Sequence, residues 1–271
     1  MSDKPFVPEL GYACPDDTTE HILHIAGKNK LPELDENFPY VNKTLWHRIK
    51  RAALYCFIWT VVFLVQCIRF NLRIEGRQNI RKYRKALKNG AITVCNHVHK
   101  WDFLLILQAL KYRRIWVPSW KNNFNGSDGA LMDTIGAIPL PETYAGNKGF
   151  MRALDKLHAE KEWIQIYPEV ALWPCFQPIR PFRRGAFVFA YRYDVPIVPL
   201  AISYREVKNP IYKFFKKNAP YITVRIGEPI FPDHNVSDRQ GIDAMRTKCH
   251  ASVCALAGIA PGENPYPAAI D

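Results

Sequence analysis

Three short blocks of this sequence hold residue types that can move a proton or grip an anion. The first is Asn96-His97-Val98-His99-Lys100-Trp101-Asp102. Five steps along a loop that enters a helix can return Asp102 to His97, so that a carboxylate holds one imidazole nitrogen while the other faces a substrate. His97 is thereby a candidate general base. The sequence has no GxSxG motif and no serine or cysteine nucleophile placed beside His97. The base would therefore act on a hydroxyl or water of the substrate rather than on a protein nucleophile. The second block, Tyr167-Pro168-Glu169, delivers a carboxylate after another apolar run. The third, Pro181-Phe182-Arg183-Arg184-Gly185, sets two arginines at the start of a helix whose N-terminus itself favours anions, a place where phosphate can be gripped. Each block alone has a bland reading: a chance His-Asp spacing, a solvated glutamate, a basic turn. Their force lies in occurring together.

The elements that must position these groups follow from periodicity and turn residues. Short apolar runs read as strands at residues 72–75, 91–95, 115–118, 135–140, 163–167, 196–202 and 222–227. Helical patterns fall at 42–70, 81–89, 101–110, 148–161, 185–193 and 237–257. Strands that alternate with helices imply an α/β fold, a central mixed sheet covered by helices. Ligands of such sheets bind beyond the carboxyl ends of strands. His97 follows the run AITVC and Glu169 follows WIQIY, so both fall at such ends.

Cys95, His97 and His99 alternate and could face one side, but no comparable fourth ligand cluster occurs, so no metal is expected. The seven cysteines include no CxxC pair, which suits a reducing compartment.

The chain has 271 residues, 48% of them hydrophobic, enough to bury a core and to exclude disorder. Its formal charge of +12 is local. Residues 1–40 carry three basic and eight acidic side chains, whereas residues 41–90 carry twelve and one. The basic segment encloses the apolar run AALYCFIWTVVFLVQCI, flanked by Arg48, Lys50 and Arg51 before and Arg69, Arg73 and Arg77 after. Seventeen uncharged residues rise about 25 Å as a helix, short of a hydrocarbon core of about 30 Å, so spanning and interfacial placement both stay open. A buried core helix has no need of basic flanks. The run is thus expected to meet anionic membrane lipids. The acidic N-terminus has no secretory signal pattern. Four parts are expected: an extended arm (1–40), a membrane-associating helix (41–71), an α/β domain (72–260) and a flexible tail (261–271). The runs Tyr112-Arg113-Arg114 and Lys213 to Lys217 could extend the basic footprint. Nucleic acid is not an expected partner, because the charge clusters around grease and not along a recognition helix.

In order, the blocks NHVHKWD, IYPE, PFRRGAF and VPIVPLAI resemble those of the 1-acylglycerol-3-phosphate acyltransferase (PlsC-like) glycerolipid acyltransferase family, over about residues 72–230. The resemblance implies that His97 is the base and Asp102 its orienting partner. It implies Asn96, Lys121 and Glu169 at the substrate site, with Arg180, Arg183 and Arg184 as candidate phosphate contacts. It implies direct acyl transfer to a lysophospholipid-like hydroxyl, 1-acylglycerol-3-phosphate first, from acyl-CoA or acyl-carrier protein as co-substrate, with no cofactor, on the cytoplasmic side of a membrane. Two departures stand out. Where the family has Gly-Thr-Arg after Pro-Glu, this chain has Val170-Ala171-Leu172-Trp173-Pro174, and where a second block ends Ile-Asp-Arg it has Ile138-Pro139-Leu140-Pro141-Glu142. Two phosphate-binding arginines are missing. A non-phosphorylated acceptor, or an inactive lipid-binding module on the same scaffold, are the alternatives.

Overall fold

The computed structural model describes residues 6–22, 33–111, 113–125, 129–208 and 220–269. Seven strands form one mixed sheet: β1 (Arg73–Glu75), β2 (Ala91–Cys95), β3 (Ile115–Ser119), β4 (Ala137–Pro139), β5 (Trp163–Ile166), β6 (Ile197–Arg205) and β7 (Tyr221–Ile226). Their order is β1-β7-β6-β2-β5-β3-β4. β4, β3, β5, β2 and β6 run parallel, β7 is antiparallel to β6, and β1 pairs parallel with β7. Five parallel carboxyl ends therefore share one edge, with those of β2 and β5 as neighbours. β2 is buried at every position, which is why AITVC reads as an unbroken apolar run.

One face is covered by α7 (Tyr144–Ala159), α8 (Gly185–Tyr193) and α9 (Asp238–Ala257), which bury Phe150, Leu154, Phe187 and Cys249 against Ile92, Val94 and Ile164. The other is covered by α5 (Asp102–Ala109) and by a long rod, Leu45–Phe70, made of α1 (Leu45–Phe57), a π-helical turn (Ile58–Val62) and α2 (Phe63–Phe70). Short helices α3 (Arg77–Lys82) and α4 (Arg84–Leu87) follow β1, and α6 (Gly129–Ile135) precedes β4. α3 begins earlier than the periodicity indicates. α6 falls where the sequence offered only loop and strand signals, because at seven residues it is too short for a clear period.

The rod is fixed along its whole length. His47, Arg51, Ile58, Val62, Gln66 and Phe70 are buried. A step of four residues turns an α-helix by about 400°, so this stripe would drift; the wider π turn underwinds the middle and keeps it facing the body. Arg51 Nη2 donates to the Ile115 carbonyl at 3.0 Å, and its guanidinium lies 4.2 Å from the Trp116 ring centre. Gly136, at φ +105°, gives that guanidinium room, since a Cβ there would come within 2.5 Å of it. On the opposite face Trp46, Phe57, Trp59, Leu64 and Ile68 are all more than half exposed.

Residues 6–22 form no helix or strand and lie on the body, with Tyr12 Oη donating to the Pro174 carbonyl and Phe6 N to Tyr204 O. The tail differs from the flexible segment expected. Asn264 exchanges hydrogen bonds with the Ile179 backbone, and Phe182 N donates to Ala268 O. Of the supplementary basic runs, residues 213–217 and Tyr112 lie outside the described residues, while Arg113 is exposed and sits 4.4 Å from the Trp163 ring centre.

Candidate active site

Asp102 is the first residue of α5, where a carboxylate is favoured by the helix dipole. Its Oδ2 accepts from His97 Nδ1 at 2.8 Å and from Val98 N at 2.9 Å. The five-residue loop thus closes on one oxygen, and the geometry anticipated from the spacing is present. With Nδ1–H donating to Asp102, Nε2 carries the free lone pair of the neutral ring. The His97 side chain is 23% exposed and Asp102 1%. Oδ1 of Asp102 is buried without a hydrogen-bond partner. The His97 ring stacks on Tyr167, 4.1 Å between centres at 18°, which fixes its plane. Burial, with Asp102 adding to it, pushes the Tyr167 phenol well up, so it remains neutral beneath the imidazole. Sequence reasoning passed over Tyr167; its position at the end of β5, one step before Pro168, was the available signal.

His99 faces elsewhere. Its Nδ1 accepts from Trp101 N at 3.1 Å and its ring meets Phe70 edge-on. Burial pushes the His99 imidazole down, toward the neutral form. Among the described residues no three His, Cys, Asp or Glu side chains are grouped to hold a metal.

Glu169, expected to meet substrate, is a framework residue in this structure. It is 1% exposed. One oxygen accepts from Arg180 N at 3.0 Å; the other accepts from His97 N at 3.0 Å and Arg180 Nη2 at 2.9 Å. Arg180 is buried too, and also donates to the carbonyls of Thr18, at 2.8 Å, and Ala171. Both carboxylate oxygens of Glu169 and both terminal nitrogens of Arg180 are thus committed to the protein. Asn96 is likewise 1% exposed: its Nδ2 donates to Ile202 O at 2.9 Å and its Oδ1 accepts from Ile202 N at 2.8 Å, locking the end of β2 to β6. The expected substrate contacts of Asn96, Glu169 and Arg180 are thus replaced by a buried frame behind His97. Trp173 N donates to His97 O and Cys175 N to Val98 O, which ties the segment after Glu169 to the histidine loop.

The other basic candidates do not converge on the histidine. Lys121 pairs with Glu142. Arg184 pairs with Asp243 of α9 at 3.2 Å. Arg183 is half-buried, its N bonded to Pro168 O. Glu142, which spacing gave no reason to single out, stands in the block that lost its arginine. A shallow groove along α7, lined by Tyr144, Met151 and Asp155, contains none of these residues.

The substituted block is built differently from a glycine turn. Val170 sits at φ +71° in a three-residue turn closed by Ala171 N to Glu169 O at 2.9 Å, an unusual conformation for a β-branched residue. Ala171 and Trp173 are fully buried, packed with Phe176, Tyr12, Ile22 and Tyr266. Trp173 Nε1 donates to Glu20 O at 2.9 Å. Ala171 and Trp173 therefore seat the N-terminal arm, for which sequence reasoning expected little role.

Residues 71–203 match the family model described as Acyltransferase. Among solved structures, the 1-acyl-sn-glycerophosphate (LPA) acyltransferase PlsC from Thermotoga maritima is similar, with a TM-score of 0.52 at 17% identity, covering 76% of this chain and 81% of that one. No curated protein matches the sequence. The matched segment contains the histidine loop, the buried Glu169–Arg180 frame and most of the parallel sheet that presents them. Residues 71–203 are an acyltransferase-family domain, carried on a PlsC-like fold.

Proposed function

We propose that this protein is a glycerolipid O-acyltransferase in which His97 is the general base. The observation that carries the reading is the His97 ring, held at Nδ1 by Asp102 and against Tyr167, with its side chain partly exposed just beyond the end of β2. Nε2 takes the proton of an acceptor hydroxyl as its oxygen attacks the carbonyl carbon of an acyl thioester, acyl-CoA or acyl-carrier protein. The C–S bond then breaks, and the thiolate leaves with the proton held by the imidazolium. Ester and thiol are formed, and no acyl-enzyme is required. General-base assistance of this kind contributes about 10²- to 10⁴-fold. Positioning and stabilisation of the oxyanion supply the rest. The backbone N–H groups of His97 and Val98 are not oxyanion donors, being bonded to Glu169 and Asp102.

The rod bears on where this happens. It would be about 39 Å long, yet one stripe of it is packed on the body from His47 to Phe70. Crossing a bilayer would strip that stripe and leave Arg51 without its carbonyls. The rod is therefore read as lying in one leaflet's interface with its tryptophan-bearing face in the acyl region, basic flanks toward anionic headgroups, on the cytoplasmic side. Tails of donor and acceptor stay in the membrane, beside Phe70, which packs on His99 and Trp101 of the histidine loop.

The test is acceptor-dependent thiol release from long-chain acyl-CoA by purified protein on anionic vesicles, with product mass and intact protein mass read together. A product heavier by one acyl chain and protein of unchanged mass are expected. Thiol release with no acylated acceptor, or stoichiometric acyl-protein, would sink the proposal. Trp59→Asp with Leu64→Asp should release the protein from vesicles; unchanged sedimentation contradicts the placement of the rod.

A further inference from the structure

We propose that the N-terminal arm is a working part of the active site: it holds the His97 backbone in place through two chains of contacts, one by way of Arg180 and Glu169 and one by way of Trp173. The proposal rests on the acyl-transfer reading above and adds positioning residues to that site.

The contacts of residues 6–22 follow the carboxyl edge of the sheet. Phe6 N donates to Tyr204 O near the end of β6, Tyr12 Oη donates to the Pro174 carbonyl at 2.8 Å, and the His21 ring stacks 4.3 Å from Trp120, just past the end of β3. β2 and β5 lie between β6 and β3. Pro174, at the middle of that course, is flanked by Trp173 and Cys175, whose N–H groups bond the carbonyls of His97 and Val98. The arm therefore passes the histidine loop with one short segment of chain between them.

Residues 96–101 form neither helix nor strand, so the place of the imidazole depends on what holds the two polar groups of the His97 backbone. His97 N donates to Glu169 Oε2 at 3.0 Å, and His97 O accepts from Trp173 N at 3.0 Å. Each partner is tied in turn to the arm. The same Glu169 oxygen accepts from Arg180 Nη2 at 2.9 Å, and Arg180 Nη1 donates to Thr18 O at 2.8 Å. Trp173 Nε1 donates to Glu20 O at 2.9 Å. Two carbonyls of the arm, two residues apart, thus stand behind the N–H and the C=O of one residue. The chains also brace each other, since the Arg180 guanidinium lies 4.5 Å from the Trp173 ring centre. Glu169, Arg180 and Trp173 are all buried, and taking the arm away would admit water to both chains. Catalysis is sensitive to such placement. Asp102 can fix the ring only while the His97 backbone stays within its reach, and a displacement of about 1 Å can cost about 10²-fold in rate. Arg180, Glu169, Trp173 and the arm act through His97, as positioning residues.

Two variants test this. Removing residues 1–22 takes away both carbonyls; Trp173→Phe breaks one chain and keeps an aromatic ring in its place. Each is measured for kcat and KM in acceptor-dependent thiol release from long-chain acyl-CoA, and for exchange of the His97 Nδ1 proton with water by NMR on protein labelled with ¹⁵N-histidine. The His97 resonance is identified by its loss in His97→Ala protein. The truncation should lower kcat at least tenfold and Trp173→Phe at least threefold, with KM kept within about twofold and with the Nδ1 proton exchanging faster by factors of the same order, because its bond to Asp102 is loosened. A lower Tm with kcat and proton exchange unchanged makes the arm a structural element only and overturns the proposal. So does a rise in KM at unchanged kcat. Trp173→Phe decides alone should the truncated chain not fold. Faster exchange in the variants of a protein that acylates no acceptor contradicts the acyl-transfer reading and leaves the positioning supported.

Discussion

Two buried carboxylates stand at neighbouring strand ends, and they are used in opposite ways. Asp102 and Glu169 are each 1% exposed. Asp102 leaves Oδ1 without a partner and spends Oδ2 on an imidazole that is itself open to solvent. Glu169 has both oxygens committed to backbone N–H groups and to the Arg180 guanidinium, with no titratable partner that reaches the surface. An acid coupled to an exposed ring can respond when that ring gains a proton. An acid neutralised by a buried arginine cannot, and serves to hold the loops in place. The same chemical group, at the same depth, thus separates into a chemical role and a framing role according to its partner.

The largest effect that would sharpen this contrast is on stability. Glu169→Gln leaves the Arg180 charge buried without its counterion, which costs about 3–5 kcal/mol. In a domain of this size that lowers the Tm by roughly 10 °C or more, seen in a thermal melt. A Tm within two degrees of the parent would show that the pair does not bear on the fold. Asp102→Asn should do the reverse. An amide can accept from Val98 N or address His97, but it cannot fix the donor tautomer at Nδ1, so acceptor-dependent thiol release should fall about 10²-fold with a much smaller change in Tm. Equal loss of stability in both variants would erase the distinction. The smallest effect is at Val170, whose positive φ strains a β-branched residue by about 1–3 kcal/mol. Val170→Gly gives back part of that as chain entropy, for a net gain near 1 kcal/mol in urea unfolding. A loss of stability would show the valine to be held there by contacts rather than against strain.

The sequence made the chemical half of this contrast readable and hid the framing half. His97 and Asp102 could be paired because five residues between a strand end and a helix start leave few geometries, and AITVC marked the strand by its unbroken apolar run. Glu169 and Arg180 are eleven residues apart across a proline-rich loop, where no period tells which side chains turn inward. Burial of charge is invisible until both partners are placed. The same holds for Asn96, which bridges to Ile202 more than a hundred residues on. The rod's apolarity and basic flanks were evident, but its buried stripe depends on Arg51 reaching Ile115 and on the π turn, neither of which composition encodes. The arm, read as an appendage, owes its place to Trp173 and Arg180, residues that lie 150 positions or more downstream.

The central claim is that one imidazole removes the acceptor proton while the frame behind it stands unchanged. It is tested most directly by His97→Ala, measured for acylated product by mass spectrometry and for folding by thermal melt on the same preparation. A fall of about 10²- to 10⁴-fold in product formation, with the Tm kept within a few degrees, is the predicted result. Product formed at the parent rate by folded His97→Ala protein would contradict it.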